Sequence, residues 1–267
     1  MVRIERLRGS LMALLEVYGL IKHFGGLIAV SELDFVVEKR TILGIIGPNG
    51  AGKTTLYNLI TGVFRPTGGK VIFNGEDIAG LSTHRIASKG LVRTFQTTNL
   101  FHEMTVLQNV LLAHHLFRKS GDIAQFFATS GFQGEDRRVK KRAMEILDNL
   151  GLGAHKDELA KNLPHGNQKV LGMALAMAAS PKLMLLDEPM TGMDETETTT
   201  MMNLIKRVRD EMGMTIVVVE HDMKVIMGLS EHIIVLNFGK KIAEGPPREV
   251  TRNRAVIEAY LGTEEGE

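Results

Sequence analysis

The chain has no cysteine among its 267 residues, and no apolar run approaches the roughly 20 residues that a helix needs to cross a bilayer. Without cysteine, neither a disulfide framework nor a thiolate metal site can form, which fits a reducing cytosol. The formal net charge of +1 indicates neither nucleic-acid binding nor a generally membrane-attracted surface. Any function at a membrane would therefore depend on partner proteins.

One stretch carries a complete chemical motif. Residues 47–55 read Gly47-Pro48-Asn49-Gly50-Ala51-Gly52-Lys53-Thr54-Thr55 and fit the G-x-x-x-x-G-K-[ST] phosphate-loop pattern. The glycines let consecutive backbone N–H groups wrap a phosphate at the positive end of a helix. Lys53 would give a charge to the β- and γ-phosphates, Thr54 a hydroxyl to Mg²⁺, and Thr55 a contact to the α-phosphate. The stretch predicts a nucleoside triphosphate site; the alternative is a glycine-rich turn without a ligand.

The surrounding pattern favours the site, because the motif needs a strand before it and a helix after it. Apolar runs typical of buried parallel strands occupy Thr41 to Ile46, Leu183 to Leu186 and Thr215 to Val219, and helical spacing follows each of them. The predicted fold class is α/β, a P-loop NTPase with a mostly parallel, doubly wound sheet, an antiparallel β subdomain and an inserted helical subdomain. We expect residues 1–99 to form the N-terminal core with the β subdomain, 100–162 the helical subdomain and 163–267 the C-terminal core.

Polar residues close several of these strands. Asp187 would lie beside the phosphate loop, where a Mg²⁺ ligand is needed, and the adjacent Glu188 is the better candidate for orienting and deprotonating an attacking water. Gln96 and His221 also close predicted strands and are candidates for contacting a γ-phosphate or its metal. The alternative for the two adjacent carboxylates is a helix cap.

Phe24 lies in the turn-rich stretch His23 to Gly26, between two predicted strands. An aromatic ring in such a loop can stack on an adenine. A single phenylalanine in a strand-rich region is more often a core residue. Its position alone leaves both interpretations open.

Taken in order, these motifs resemble the nucleotide-binding subunit of an ATP-binding cassette (ABC) transporter. The resemblance runs from about Leu15 to Gly262 and rests on the phosphate loop, Gln96, Leu183 to Pro189, Gly192-Met193-Asp194 and Val219 to Asp222. A narrower resemblance, to subunits that energise branched-chain amino acid import, rests on Gly90 to Phe101, Glu103 to Val106, Glu220 to Lys224, Gly239 to Gly245 and Val256 to Gly262.

The resemblance implies roles for the polar candidates. Gln96 would sense Mg²⁺ and the attacking water, and would begin the segment that faces the membrane partner. Asp187 would be the magnesium-site aspartate, Glu188 the catalytic base and His221 a contact to the γ-phosphate. Phe24 would stack on the adenine.

The resemblance also implies a dimer of cassettes with two ATP molecules between them, each held by one subunit's phosphate loop and the other's signature segment. Asp194 would cross that interface. The family's signature pattern Leu-Ser-Gly-Gly-Gln is matched here by Leu163-Pro164-His165-Gly166-Asn167.

This signature segment departs from the family pattern. Pro164 has neither the serine hydroxyl nor an N–H, so one expected hydrogen bond to the partner's γ-phosphate cannot form. The Gly166 N–H and the N-terminus of the helix that Asn167 begins remain to attract the phosphate. We expect weaker stabilisation by the partner rather than an inactive site.

The expected function is that of an ATP- and Mg²⁺-dependent ATPase subunit of an importer for branched-chain amino acids. It would lie on the cytoplasmic face of the cell membrane with a second ATPase subunit, permease subunits and, indirectly, a substrate-binding protein, and without nucleic acid. One alternative keeps this role but changes the cargo to urea, short amides or another amino acid. Another is a soluble cassette ATPase that remodels nucleic acid or ribosomes, which would need a second cassette, a long coiled coil or a strongly basic face. A GTPase is disfavoured because the chain has no Asn-Lys-x-Asp motif.

Overall fold

The computed structural model describes residues 13–94, 100–117 and 132–261. The strands in these residues are β1 (Ala13–Phe24), β2 (Leu27–Glu38), β3 (Ile42–Ile46), β4 (Gly68–Phe73), β5 (Glu76–Asp77), β6 (Leu91–Arg93), β7 (Leu183–Asp187), β8 (Thr215–Val219), β9 (His232–Asn237) and β10 (Lys240–Gly245). The helices are α1 (Lys53–Ile60), α2 (Thr83–Ser88), α3 (Val106–Phe117), α4 (Phe132–Asn149), α5 (His165–Ala178), α6 (Glu195–Met212), α7 (Met223–Leu229), α8 (Pro247–Val250) and α9 (Arg254–Leu261), with short 3₁₀ turns at Gly153–His155 and Ala160–Asn162.

The central sheet has the strand order β10-β9-β3-β8-β7-β6, and its neighbours are parallel except for the edge pair β9 and β10. Every residue of β3, β7 and β8 is buried, since both faces of a parallel sheet are covered and the strands need apolar side chains on both. The predicted mostly parallel sheet is therefore confirmed.

Alternate residues of these strands belong to two separate cores. Leu43 and Ile45 of β3 pack with α1 and the second sheet, whereas Ile42 and Ile46 pack with residues of α3 to α6. A strand places successive side chains on opposite faces, so one backbone serves both cores. At Gly44, an added Cβ would lie 2.6 Å from the Ser230 Oγ, so glycine lets the end of α7 approach the sheet closely.

The second sheet has the order β2-β1-β4-β5, and its strand pairs are antiparallel. Leu15, Val17 and Leu20 of β1 pack in one core with Leu56 and Tyr57 of α1. This sheet confirms the predicted antiparallel β subdomain next to the phosphate loop.

The helices α3, α4 and α5 contact one another, and their apolar residues continue into the core on the other face of the central sheet. The domain boundaries at 99/100 and 162/163 therefore stay a prediction. The sequence predicts that a short strand, from Val92, is closed by Gln96. This prediction was wrong in its extent, because the ladder with β7 ends at Arg93, opposite Leu185. Residues 95–99 lie outside the described part of the chain. Among the described residues, none of the helices combines the length and the apolarity needed to cross a membrane.

Candidate functional site

The phosphate loop joins β3 to α1 at the carboxyl edge of the central sheet. A Cβ atom at Gly47 would lie 2.2 Å from the backbone oxygen of Leu236, and one at Gly52 would lie 2.7 Å from that of Ala29. Gly52 also has a φ of 99°, in the left-handed region. Glycine is therefore required at both positions because another backbone segment lies too close for a side chain. At Gly52 the left-handed backbone conformation is a second reason.

The first turn of α1 is open to an anion. Gly52 precedes it without a side-chain cap, and none of its first residues is acidic, so no carboxylate competes for its N–H groups. Asn49, Gly50 and Thr54 are exposed, while Pro48, Gly52 and Thr55 are half-buried and Ala51 is buried. The loop thus presents backbone donors and the Thr54 hydroxyl, as the motif predicts.

Lys53 is 7% exposed, and its Nζ donates to the backbone oxygens of Gly47 at 2.6 Å and Pro48 at 3.0 Å. Burial lowers the pKa of the amine, while the charges of Glu188 and Asp187 raise it. The structure therefore places the lysine and the two carboxylates in one electrostatic environment.

Asp187 is the last residue of β7 and is buried. Its Oδ2 accepts a hydrogen bond from Arg93 Nη2 at 2.5 Å. Arg93 Nη1 also donates to Asn58 Oδ1 at 2.7 Å, which links α1 to the same group. No role was predicted from the sequence for Arg93 or Asn58. The one local feature that could have indicated a role for Arg93 is a charged residue in a short, mostly buried strand.

Glu188 follows with a φ of 47°, and its N–H donates to the Val219 oxygen at 2.9 Å. A non-glycine residue in this region costs on the order of 1–3 kcal/mol, and such strain is common at functional sites. Its Oε2 accepts from the Thr191 hydroxyl at 3.3 Å. The carboxylate is thus oriented by a turn rather than taken up as a helix cap.

Glu220 and His221 follow β8, the strand between β3 and β7. Glu220 is buried, and its Oε1 accepts from the Met190 N–H at 2.8 Å. His221 has a side chain that is 58% exposed, with Nδ1 3.8 Å from Glu220 Oε2. Burial raises the pKa of Glu220, the Met190 N–H and the charge of His221 lower it, and the charge of Glu188 raises it.

This raised pKa predicts a pH effect on stability. The folded chain holds the Glu220 proton more strongly than the unfolded chain does. Between the pKa of about 4.3 in the unfolded chain and the raised pKa in the folded chain, the free energy of unfolding therefore falls as pH rises. The slope is at most about 1.4 kcal/mol per pH unit. Glu220→Gln keeps an acceptor for Met190 and removes the charge, so this decline should disappear. Urea unfolding of both proteins at several pH values would measure it; parallel profiles would contradict the assignment.

Phe24 ends β1 beside the turn to β2 and is 41% exposed. Its ring packs edge-on against Phe64, with centroids 5.2 Å apart, and the Lys22 Nζ lies 4.8 Å from its centroid. Phe24 is therefore a partly exposed aromatic at the edge of the β subdomain rather than a core residue. Its stacking on adenine stays a prediction.

The signature segment leads into α5. Pro164 precedes the helix without a side-chain cap, and no acidic residue lies in the first turn. A Cβ at Gly166 would lie 3.2 Å from Glu197 Oε1, and one at Gly192 would lie 3.4 Å from His165 Cε1. The segment, in which Asn167 is half-buried, therefore lies against the start of α6 in the same chain.

Asp194 begins α6 as its N-cap. Its carboxylate accepts from the Glu197 N–H at 2.8 Å, and Glu197 Oε2 accepts in return from the Asp194 N–H at 3.2 Å. Asp194 is exposed, so the cap does not remove it from the surface. Its role at a dimer interface stays a prediction.

Lys169 lies on α5, the helix that begins in the signature segment, and its charge interacts with Glu188 and Glu220. This connection was not predicted from the sequence. The Lys169 Nζ donates to the Thr191 oxygen. Burial lowers its pKa, while the charges of Glu220, Glu188 and Glu197 raise it. Gln96, the remaining predicted site residue, lies outside the described residues.

The C-terminal helix α9 also reaches the phosphate loop. The hydroxyl oxygen of Tyr260 is buried and has no hydrogen-bond partner among the described residues. Burial raises its pKa to about 12, and the nearby Gly47 backbone acts in the opposite direction. Tyr260 belongs to the Val256 to Gly262 stretch that carries the narrower resemblance, but no role was predicted for it.

A glycine-rich loop that begins a helix, a buried lysine within it and two carboxylates at the end of a nearby strand define a phosphate-loop nucleoside triphosphatase. Comparison with known families agrees: the ABC transporter family matches residues 30–191, and the family described as branched-chain amino acid ATP-binding cassette transporter matches residues 240–266. The chain belongs to the ABC transporter family, whose cassettes bind and hydrolyse ATP.

Relatives and solved structures extend over nearly the whole chain. The high-affinity branched-chain amino acid transport ATP-binding protein BraF of Pseudomonas aeruginosa is 42% identical over 249 residues, 93% of this chain and 98% of the relative. LivG of Escherichia coli, with the same description, is 41% identical with the same coverage. The ADP conformation of MJ1267, an ATP-binding cassette of an ABC transporter, has a TM-score of 0.82 and 30% identity, covering 94% of this chain and 100% of that one. The ATP-binding cassette MJ0796, solved as a dimer in a post-hydrolysis state with ADP and Pi, has a TM-score of 0.71 and 28% identity, covering 88% of this chain and 99% of that one.

Proposed function

We propose that this chain is the ATPase subunit that powers import of branched-chain amino acids. One observation carries the choice of cargo: residues 240–266 match the branched-chain cassette family, while relatives covering 93% of the chain are named for the same transport. The cargo would not touch this subunit, so the residues of this chain do not select it directly. Urea, short amides or another amino acid are therefore the alternatives.

The residues present fit a Mg²⁺ ion bound together with ATP. Thr54 offers an exposed hydroxyl at the first turn of α1, and Asp187 offers a carboxylate at the end of β7. Oxygen ligands of this kind suit Mg²⁺, and phosphate oxygens and the side-chain oxygen of Gln96 would complete the set. When bound, the ion would neutralise charge on the phosphates. The glycines of the loop and Lys53 would hold the β- and γ-phosphates.

Glu188 would act as the general base. It would accept a proton from a water that attacks the γ-phosphate, and the Thr191 hydroxyl would hold its carboxylate in place. His221 is exposed and follows β8, the strand that lies between β7 and the phosphate-loop strand β3. It would contact the γ-phosphate. Phe24 would stack on the adenine. The phosphate loop, Glu188 and His221 all follow strands of the central sheet at its carboxyl edge, whereas Phe24 approaches from the β subdomain.

Two subunits would complete each site. The uncapped start of α5, with Gly166 and Asn167, would cover the γ-phosphate bound by the partner, and Asp194 would lie at the interface. The dimeric structure of the MJ0796 cassette with ADP and Pi supports the pairing of two cassettes. Closure on ATP and reopening after hydrolysis would move permease subunits at the inner face of the cell membrane, to which a substrate-binding protein delivers the cargo.

Transport in reconstituted vesicles tests the proposal. The chain would be placed in liposomes with the permease subunits that co-purify with it, together with their substrate-binding protein and labelled leucine. We expect leucine uptake that requires ATP on the side of this subunit. Vesicles with ADP instead of ATP are the control.

Two outcomes would overturn parts of the proposal. ATP-dependent uptake of urea or short amides without leucine uptake would replace the cargo. ATPase activity that nucleic acid stimulates and that no permease associates with would favour the soluble cassette alternative.

A further inference from the structure

Arg93 lies at the centre of a buried polar cluster that the proposed mechanism does not use. Its side chain is 13% exposed, and its guanidinium contacts Asp187 Oδ2 at 2.5 Å and Asn58 Oδ1 at 2.7 Å. The guanidinium carbon lies 5.5 Å from the centroid of the Tyr57 ring. Three elements of the nucleotide site, α1, β6 and β7, therefore meet at one cation.

The side chains of Tyr57 and Arg93 pack against each other inside the cluster. Tyr57, whose ring lies beside the guanidinium, is itself fully buried. Its hydroxyl oxygen lies 3.1 Å from the Leu186 oxygen and 2.9 Å from the Val217 oxygen, and its one proton is donated to these two acceptors. The Arg93 Nε is buried and, in the described part of the chain, has no hydrogen-bond partner. A buried cation that leaves one donor unsatisfied is costly, and the contact with the Asp187 carboxylate offsets that cost.

We propose that Arg93 lowers the affinity of the magnesium site, because its charge competes with Mg²⁺ for the Asp187 carboxylate that it also holds in place. The proposal rests on the role of Asp187 proposed above. The carboxylate has two oxygens, and Arg93 engages Oδ2, which directs Oδ1 toward other ligands. A positive charge at this distance also repels a second cation on the same carboxylate in a buried setting. Arg93 therefore keeps the affinity for Mg²⁺ moderate and the carboxylate fixed.

The sign of the effect separates this role from simple structural support. Removal of a residue that only stabilises the fold would weaken the binding of every ligand. Removing a competing charge instead strengthens the binding of the metal while it weakens the fold, since Asp187 then lacks its counter-ion unless Mg²⁺ is bound.

The test uses Arg93→Gln and Arg93→Met in the full chain, with Mg²⁺ titrated at a fixed, saturating concentration of ADP and followed by thermal unfolding. We expect Mg²⁺ to bind both variants about ten- to a hundredfold more tightly than wild type. Both should melt at lower temperature than wild type without Mg²⁺, and Mg²⁺ should raise their melting temperatures more. Arg93→Gln keeps a donor for Asn58 or Asp187, so it provides a folded neutral variant if Arg93→Met is too unstable.

Two further variants serve as controls. Arg85→Met removes an exposed arginine of α2 and should leave the affinity for Mg²⁺ unchanged. In an Asp187→Asn background, Arg93→Gln should no longer strengthen Mg²⁺ binding, because the shared carboxylate is gone.

Unchanged or weaker Mg²⁺ binding in the Arg93 variants would overturn the proposal, even if their melting temperatures fall. If the wild-type chain bound ADP without any response to Mg²⁺, the role of Asp187 itself would be wrong, which is a separate result visible before any variant is made.

Discussion

Replacing Glu188 by glutamine is expected to reduce the ATP turnover of this cassette by about 10²- to 10⁴-fold, the usual contribution of a general base. The amide keeps the shape of the side chain and an oxygen to accept from Thr191, but it cannot take a proton from water. Binding of ATP does not need that proton transfer. The variant should therefore still form an ATP-dependent dimer, measured by light scattering beside a phosphate-release assay.

Glu195→Gln is the matched control, because Glu195 is an exposed carboxylate in the first turn of α6. Its turnover should stay near that of wild type. If Glu188→Gln turned over ATP at the wild-type rate, Glu188 would not be the base. If it lost both turnover and dimerisation, the side chain would be needed for nucleotide binding instead.

Replacing Gly47 by alanine is expected to abolish high-affinity nucleotide binding and to lower the free energy of unfolding by about 1–3 kcal/mol. The new Cβ would lie 2.2 Å from the Leu236 oxygen and 2.9 Å from the Ala51 Cβ, so the loop must move away from β9. The Gly47 oxygen also holds the Lys53 amine at 2.6 Å. A shifted loop would therefore misplace the backbone donors and the lysine together.

Gly26→Ala provides the control, since a Cβ at this turn between β1 and β2 would meet no atom within 4 Å. Titration with a fluorescent ATP analogue and urea unfolding would measure both effects. Wild-type affinity in Gly47→Ala would mean that β9 yields to the methyl group and that the close approach does not shape the loop.

The sequence was sufficient to predict the parts of the fold that depend on local pattern. The strand β8 lies where its apolar run predicted, at Thr215–Val219, because a strand covered on both faces must be apolar throughout. The phosphate loop was predicted for a similar reason, as its glycines and lysine are adjacent in the chain. ABC family membership, also expected from the motifs, is confirmed.

Contacts between distant residues were not predictable in this way. Arg93 and Asp187 are separated by 94 positions, and Met190 and Glu220 by 30. Nothing in the local pattern of either partner marks such a pair, since only the order of strands in the sheet brings them together. The short elements β5, α2 and α8 were missed because they span too few residues for a period to be recognised.

The division of the central sheet into two cores has a consequence for how the effects of substitutions combine. Neighbouring positions of one strand, such as Ile45 and Ile46 or Leu185 and Leu186, contribute to different cores and share no packing partners across the sheet. Effects of substitutions that do not share partners tend to add independently. Substitutions on the helical side of the central sheet should therefore change the free energy of unfolding independently of substitutions on the side that supports the phosphate loop.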